Sequence, residues 1–194
     1  METNDAIKKR KSVRKFKQRD LSDNVLKQLL KLATEAPSAK NSQPWQFLVL
    51  KNSSKDRISE IMLKKAKEIE KKGVSIGSVK NSAGVIKQAP VLLIVYNTNK
   101  KHYLVAEKNY VDIWRSVDIQ SIGASIQNIL LAAADMGLGS LWIGDIFIDQ
   151  EGINSYLDNE NNELVAAISL GYPDEKPRKM DRKSLNKVVK WVRD

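Results

Sequence analysis

Arg10, Ser12 and Arg14 stand at alternate positions in the run RKSVRKF (Arg10–Phe16), two guanidinium groups flanking a hydroxyl just where a helix should end. Such a set suits a phosphate, because guanidinium forks bind its oxygens bidentately and a hydroxyl adds a neutral donor. A second run, APSAKNSQPW at Ala36–Trp45, has a different character. Pro37 stops a helix, small and amide residues follow, and Pro44-Trp45 leads into a strand. Small side chains let the backbone approach a flat ligand, while Asn41 and Gln43 can read its polar edge. Together the two runs point to a phosphorylated, planar, polar-edged cofactor. Each also has a plainer reading. Alone, the first is a solvated basic tail with a chance Ser, and the second a capped turn between helix and strand.

Other chemistries find little to build on. His102 is the only histidine and cysteine is absent. That leaves no triad, thiolate nucleophile, disulfide or His-based metal site, and no metal is expected; His102 reads as a surface or loop residue. Gly137-Leu138-Gly139 is no dinucleotide fingerprint, since it follows a helix rather than a strand. A pyridine nucleotide would then bind transiently rather than in a nucleotide-binding fold of its own. The charge of +10 comes from 33 Lys and Arg against 23 Asp and Glu. Lysines such as Lys64, Lys65, Lys67, Lys71 and Lys72 read as a solvated helix face. With aromatics at 6% and no nucleic-acid module, nucleic acid is not an expected partner. The excess charge is instead expected to draw in anionic cofactors. No run reaches the roughly 18 apolar residues of a membrane span, and the N-terminus lacks the apolar core of a secretory signal, so a cytoplasmic protein without membrane association is expected. A chain of 194 residues, 42% hydrophobic and 29% charged, fits a single globular domain over 1–194.

The elements that must position these residues follow from periodicity. Asn4 or Asp5 can cap a first helix ending near Lys11. Ser22 caps a second, with Val25, Leu26, Leu29, Leu30 and Ala33 inward, stopping before Pro37. Gln46–Leu50 reads as a strand and Asp56–Lys72 as an amphipathic helix. Gly73–Gly84 mixes Gly, Ser, Asn and Lys, and is expected to be a mobile loop. Val91–Tyr96 is an apolar strand buried on both faces. Asp112–Met136 carries the longest helical signal and stops at Gly137. Its small residues Gly123, Ala124 and Ser125 allow close packing, within the chain or at a dimer core. Leu141–Ile143 and Leu164–Leu170 are further strands, followed by the turn Gly171-Tyr172-Pro173 and a C-terminal helix from Ser184. Helices on both sides of a central sheet give an α+β sandwich whose strand order the pattern leaves open.

With these elements in place, the chain resembles the FMN-dependent nitroreductases. Members typically begin with Arg-x-Ser-x-(Arg/Lys)-x-(Phe/Tyr) and continue with Pro-Ser-x-x-Asn-x-Gln-Pro-Trp. A Gly-Leu-Gly-x-x-Trp-Ile-Gly-like segment and a basic cluster near the end follow. This chain has the first two as Arg10–Phe16 and Pro37–Trp45, the third as GLGSLWIGD (Gly137–Asp145) and the fourth as RKMDRK (Arg178–Lys183), in order across essentially its whole length. The resemblance implies a nitroreductase-like sandwich, a central mixed sheet flanked by helices, in an intertwined homodimer with FMN at each subunit interface. It implies an oxidoreductase that carries hydride from NADH or NADPH through flavin N5 to an electron-poor acceptor such as a nitroaromatic or quinone. Reductive dehalogenation, enone reduction and flavin breakdown are alternatives on the same fold; a non-enzymatic polyanion-binding module is the alternative outside it. No protein side chain need be catalytic, since the flavin carries the reaction.

By the same resemblance Arg10, with Lys11 and Ser12, holds the phosphate and ribityl chain. Arg14 sits near the pyrimidine end of the ring, where a cation raises the flavin potential. Pro37, Ser38, Ala39, Asn41 and Gln43 lie against the flavin, often that of the other subunit, with Asn41 the best side-chain contact. Backbone groups of Trp142, Ile143 and Gly144 face the central ring. Gly144-Asp145 stands where some relatives have Glu-Gly, so a side-chain role does not transfer there. Arg182 matches the distal phosphate ligand. Two residues before it stands Met180 rather than a cation, which leaves Lys179 as a substitute; Lys179 reads equally as a surface helix-capping charge. Trp45, beginning a strand, reads as core. Acceptor choice is left to Gly73–Lys87 and Lys100–Trp114.

Overall fold

Val91–Asn97 is buried along its whole length, and the fold is layered outward from it. A computed structural model describes residues 2–99, 108–178 and 180–193; His102 and Lys179 lie outside the described residues. The helices are α1 (Thr3–Lys9), α2 (Asp23–Thr34), α3 (Ser53–Glu70), α4 (Gly77–Gln88), α5 (Lys108–Asp135) and α6 (Gln150–Tyr156). The strands are β1 (Trp45–Lys51), β2 (Val91–Asn97), β3 (Gly139–Ile143) and β4 (Glu163–Gly171), in the order β1-β2-β4-β3 with every neighbouring pair antiparallel. The sandwich is α+β as expected. Among the described residues the mixed character of the sheet reduces to one parallel bridge, Ser12 to Ser140, made where the N-terminal segment crosses to the edge strand β3.

Side chains of β2 alternate between two cores, as strand geometry requires. Leu92, Ile94 and Tyr96 pack with Ile58 and Met62 of α3 and Ile86 of α4. Val91, Leu93 and Val95 pack with Leu26 and Leu29 of α2 and Ile122, Ile126 and Ile129 of α5. Leu164 and Ala166 of β4 are two apart yet fall in opposite cores. The cause is a bulge. Val95 pairs with Ala166 and Tyr96 with Leu164, so Val165 is left over and the alternation changes phase. Polar groups inside are partnered. The Tyr96 hydroxyl donates to Asn154 Oδ1 at 3.0 Å, and burial pushes its pKa up to about 12. Buried Lys55 donates to Asp56 at 2.6 Å and to the Lys87 carbonyl at 2.8 Å, tying α3 to the end of α4.

Two expectations fail. The segment Gly73–Gly84 is helical from Gly77 onward, because Val79, Ala83 and Ile86 are buried at helical spacing against α3. Its Gly and Ser residues hide that period in composition. No helix forms from Ser184: the described tail holds only a single 3-10 turn, Leu185–Lys187. Leu185, Val188, Trp191 and Val192 are exposed. A short helix without a packed face is marginal in water.

The N-terminal segment is sewn to the far end of the chain. The Val13 N–H donates to the Ser140 carbonyl at 3.0 Å, Lys17 N–H to Tyr172 at 2.9 Å, and Asp174 N–H to Lys15 at 2.9 Å. Phe16 bridges Pro173 and lies over Gly171, where an added Cβ would come within 2.5 Å of Pro90 Cδ and 2.9 Å of Phe16 Cδ1. Gly171→Ala should therefore lower stability by roughly 1–3 kcal/mol, the usual cost of overpacking. Urea denaturation measures this, and an unchanged midpoint would mean that Pro90 and Phe16 are both free to move aside.

Candidate active site

The helix α1 ends where Arg10 donates its N–H to the Ala6 carbonyl and the chain turns extended. From there Val13 and Phe16 go into the core, while Arg14 stays exposed. The Glu175 carboxylate accepts from the backbone N–H groups of Arg14 and Lys15, fixing this stretch. Val13 also explains Gly139. A Cβ there would lie 2.8 Å from Val13 Cγ1, so only glycine admits the N-terminal segment.

Lys9, Arg10 and Lys11 then line a 190 Å³ cavity together with Gly137, Leu138 and Ser140. Two motifs more than a hundred residues apart in sequence thus share one pocket. Its three cations suit a phosphate. A larger cavity of 580 Å³ opens beside Trp142, walled by Phe147, Val165 and the α5 residues Ile119 and Gly123. At its rim Arg115 Nε donates to Glu163 Oε1 at 2.5 Å, so the two charges offset each other. Trp142 is 43% exposed and Phe147 49%, which leaves apolar wall open to a ring.

The two cavities are linked by strand geometry. Leu141 and Ile143 point into the core under α3 and α4, so Ser140 and Trp142 lie on the opposite face of β3. Alternate residues there stand about 7 Å apart. An elongated ligand with an anionic end and a flat apolar end fits this run: cations near Ser140, open aromatic wall near Trp142. That donor set is what a phosphorylated flavin requires.

The second motif forms a strained turn. Lys40, Asn41 and Gln43 have φ values of 52°, 54° and 46°, the left-handed region that few side chains adopt. Local bonds hold it: Asn41 N–H to the Ser38 carbonyl and Gln43 N–H to Ser38 Oγ, both 3.0 Å. The turn rests on α5, where Ser121 Oγ accepts from the Ala39 N–H at 3.4 Å and Lys40 Nζ lies 4.5 Å from the Trp114 ring centroid. Among the described residues no hydrogen bond or ion pair joins Pro37–Gln43 to Arg10–Arg14. Asn41 is exposed, whereas the Gln43 side-chain amide is spent on the Asn41 carbonyl at 3.4 Å. Trp45 is buried in the core, as its strand position implies.

Arg182 donates to the carbonyls of Met180 and Asp181 at 3.2 and 3.3 Å and does not line the Arg10 cavity. Trp142, Ile143 and Gly144 lie where β3 ends, and the turn after them is pinned by Asp145. Its carboxylate accepts from Ser82 Oγ at 2.6 Å and Ser78 Oγ at 3.3 Å, both on α4. That clasp is not evident from spacing. The wall formed by Arg115, Ile119 and Gly123 did leave a signal, a four-residue period in the long helix. It reads as packing until the sheet is seen to leave it uncovered.

The family model described as the Nitroreductase family matches residues 7–172. A protein of Methanothermobacter thermautotrophicus named as a provisional NADH dehydrogenase/NAD(P)H nitroreductase is 30% identical over 184 residues, 93% of this chain and 82% of its own length. An iodotyrosine deiodinase of Thermotoga neapolitana is 27% identical over 194 residues, 95% of this chain and 94% of its own. Among solved structures, a BluB-like flavoprotein from Clostridium difficile superposes with a TM-score of 0.80 at 30% identity, covering 100% of both chains. On the match to residues 7–172 and the run of shared motifs, the chain belongs to the nitroreductase family.

Proposed function

We propose that the protein is an FMN-dependent oxidoreductase that uses NADH or NADPH to reduce a small electron-poor acceptor such as a nitroaromatic or quinone. We read it as one domain working as a cytoplasmic, intertwined homodimer. The observation that carries this is the Ser12–Ser140 bridge, which sets a cationic cavity and an open apolar cavity at the two ends of one strand face. FMN bound there would supply two-electron chemistry that no side chain in this chain offers.

The chain's own residues bind and orient. Arg10, Lys11 and Ser12 take the phosphate end, with Lys179 and Arg182 as its distal cations. Arg14 places a charge toward the polar ring edge, and the backbone at Trp142–Gly144 faces the ring. Pro37–Gln43, which no hydrogen bond or ion pair among the described residues joins to Arg10, serves the partner's site. Leu185, Val188 and Trp191 in the tail are apolar surface that a second copy would cover. The relatives support the same chemistry by name, a nitroreductase and a flavoprotein. The deiodinase likeness favours reductive dehalogenation as the second reading of the same site.

The purified protein should be yellow, and the flavin released on denaturation should chromatograph as FMN. Recovery of mainly FAD, or colourless protein that fails to take up added FMN, would refute the assignment. Arg10→Ala should weaken FMN binding by roughly 1.5–3 kcal/mol, about ten- to 150-fold, since it removes a charge-assisted contact. Because Arg10 is only half-buried, the fold should persist; unchanged FMN affinity would reduce the basic run to surface charge. Mixing Arg10→Ala with Asn41→Ala protein should regenerate activity that neither variant has alone, as half the sites of a heterodimer carry both native groups. No recovery after verified subunit exchange would exclude shared sites.

A further inference from the structure

We propose that Lys40 and Trp114 form an acceptor-recognition site for planar aromatic compounds bearing an anionic substituent, with the acceptor ring stacked on the indole and its anion paired with the Lys40 ammonium. The inference rests on the reading that Pro37–Gln43 lies against the cofactor.

Trp114 belongs to neither core, keeps 39% of its surface exposed, and lies beside exposed Tyr110 and Ile113 on the first turns of α5. Three large apolar side chains held in water on one helix end are a surface made for contact. The Lys40 ammonium lies 4.5 Å from the Trp114 ring centroid. Among the described residues it has no carboxylate partner. The neighbouring cation, Arg115, is engaged by Glu163, and Asp118 is buried and accepts from Asn99 Nδ2 at 3.0 Å. Among the described residues Lys40 is therefore the cation this patch can offer a ligand.

A cation over an exposed indole is held weakly. An arriving carboxylate draws the ammonium aside and frees the indole face for the ring. Anchorage keeps the two groups in register: Lys40 projects from a strained turn, and Ser121, two helical turns beyond Trp114, holds that turn through the Ala39 N–H. The net charge of +10 steers anionic ligands toward the protein.

The test uses two acceptors with the same nitrophenyl ring, 4-nitrobenzoate and neutral 4-nitrobenzamide, on the flavin-loaded enzyme. Calorimetry should show 4-nitrobenzoate binding at least tenfold tighter than the amide, and kcat/KM should show the same preference. Lys40→Met should erase the preference in both measurements, Lys40→Arg should restore most of it, and Trp114→Ala should weaken both ligands. A preference unchanged by Lys40→Met, or no preference in the parent, overturns the site. Calorimetric discrimination that depends on Lys40 supports it even if neither compound is turned over; that outcome would remove the nitroreductase reading instead.

Discussion

The segment Lys11–Lys17 lies along the edge of the sheet, and the rest of the site depends on that contact. Its bonds run to Ser140 on one side and to Tyr172 and Asp174 on the other, so the beginning of the chain closes over its last two strands. Backbone bonds set the register, while packing sets the depth. Val13 fits only because Gly139 has no Cβ, and Phe16 only because Gly171 has none. A register slip of one residue would turn Val13 outward and carry the cations away from Ser140. The position of the cationic cavity is thus a consequence of core packing rather than of charge.

A mismatch of lengths explains why one face stays open. The helix α5 has 28 residues, about 42 Å at 1.5 Å each, whereas the seven residues of β2 extend about 23 Å. The C-terminal half of α5 covers the sheet through Ile122, Ile126, Ile129 and Ala133. The N-terminal half overhangs. There Ile119 walls a cavity instead of a core, and Trp114 and Tyr110 meet solvent. The opposite face has no such excess, because α3 and α4 pack closely and Asp145 clasps α4 to the end of β3.

Much of this was legible in the residues, for identifiable reasons. The strand Val91–Tyr96 stood out because burial on both faces leaves no polar alternation to confuse it, and Ser22 marked α2 by capping chemistry, accepting from the Val25 N–H at 3.4 Å. The basic run at Arg10–Arg14 was legible as a cluster of cations because its residue types are few and its spacing is short, and Arg10 does line a cavity. What stayed hidden depends on contacts distant in sequence. α4 was obscured by glycines and serines whose helicity comes from packing on α3. The expected C-terminal helix has an adequate apolar pattern, yet among the described residues nothing covers Leu185, Val188, Trp191 or Val192. The Val165 bulge and the Lys40–Trp114 contact have no local signature, since each exists only through a partner on another element.

The departure at Gly144-Asp145 now has a physical meaning. In this chain the acidic side chain is turned to α4, where two hydroxyls donate to it. Near Trp142 the remaining charges, Arg115 and Glu163, are paired with each other. Among the described residues that line the apolar cavity, the two charged side chains are thus engaged with each other rather than held free for a ligand. Selection is then left to surface: to which rings fit the overhang of α5, and to the cation that waits beside it.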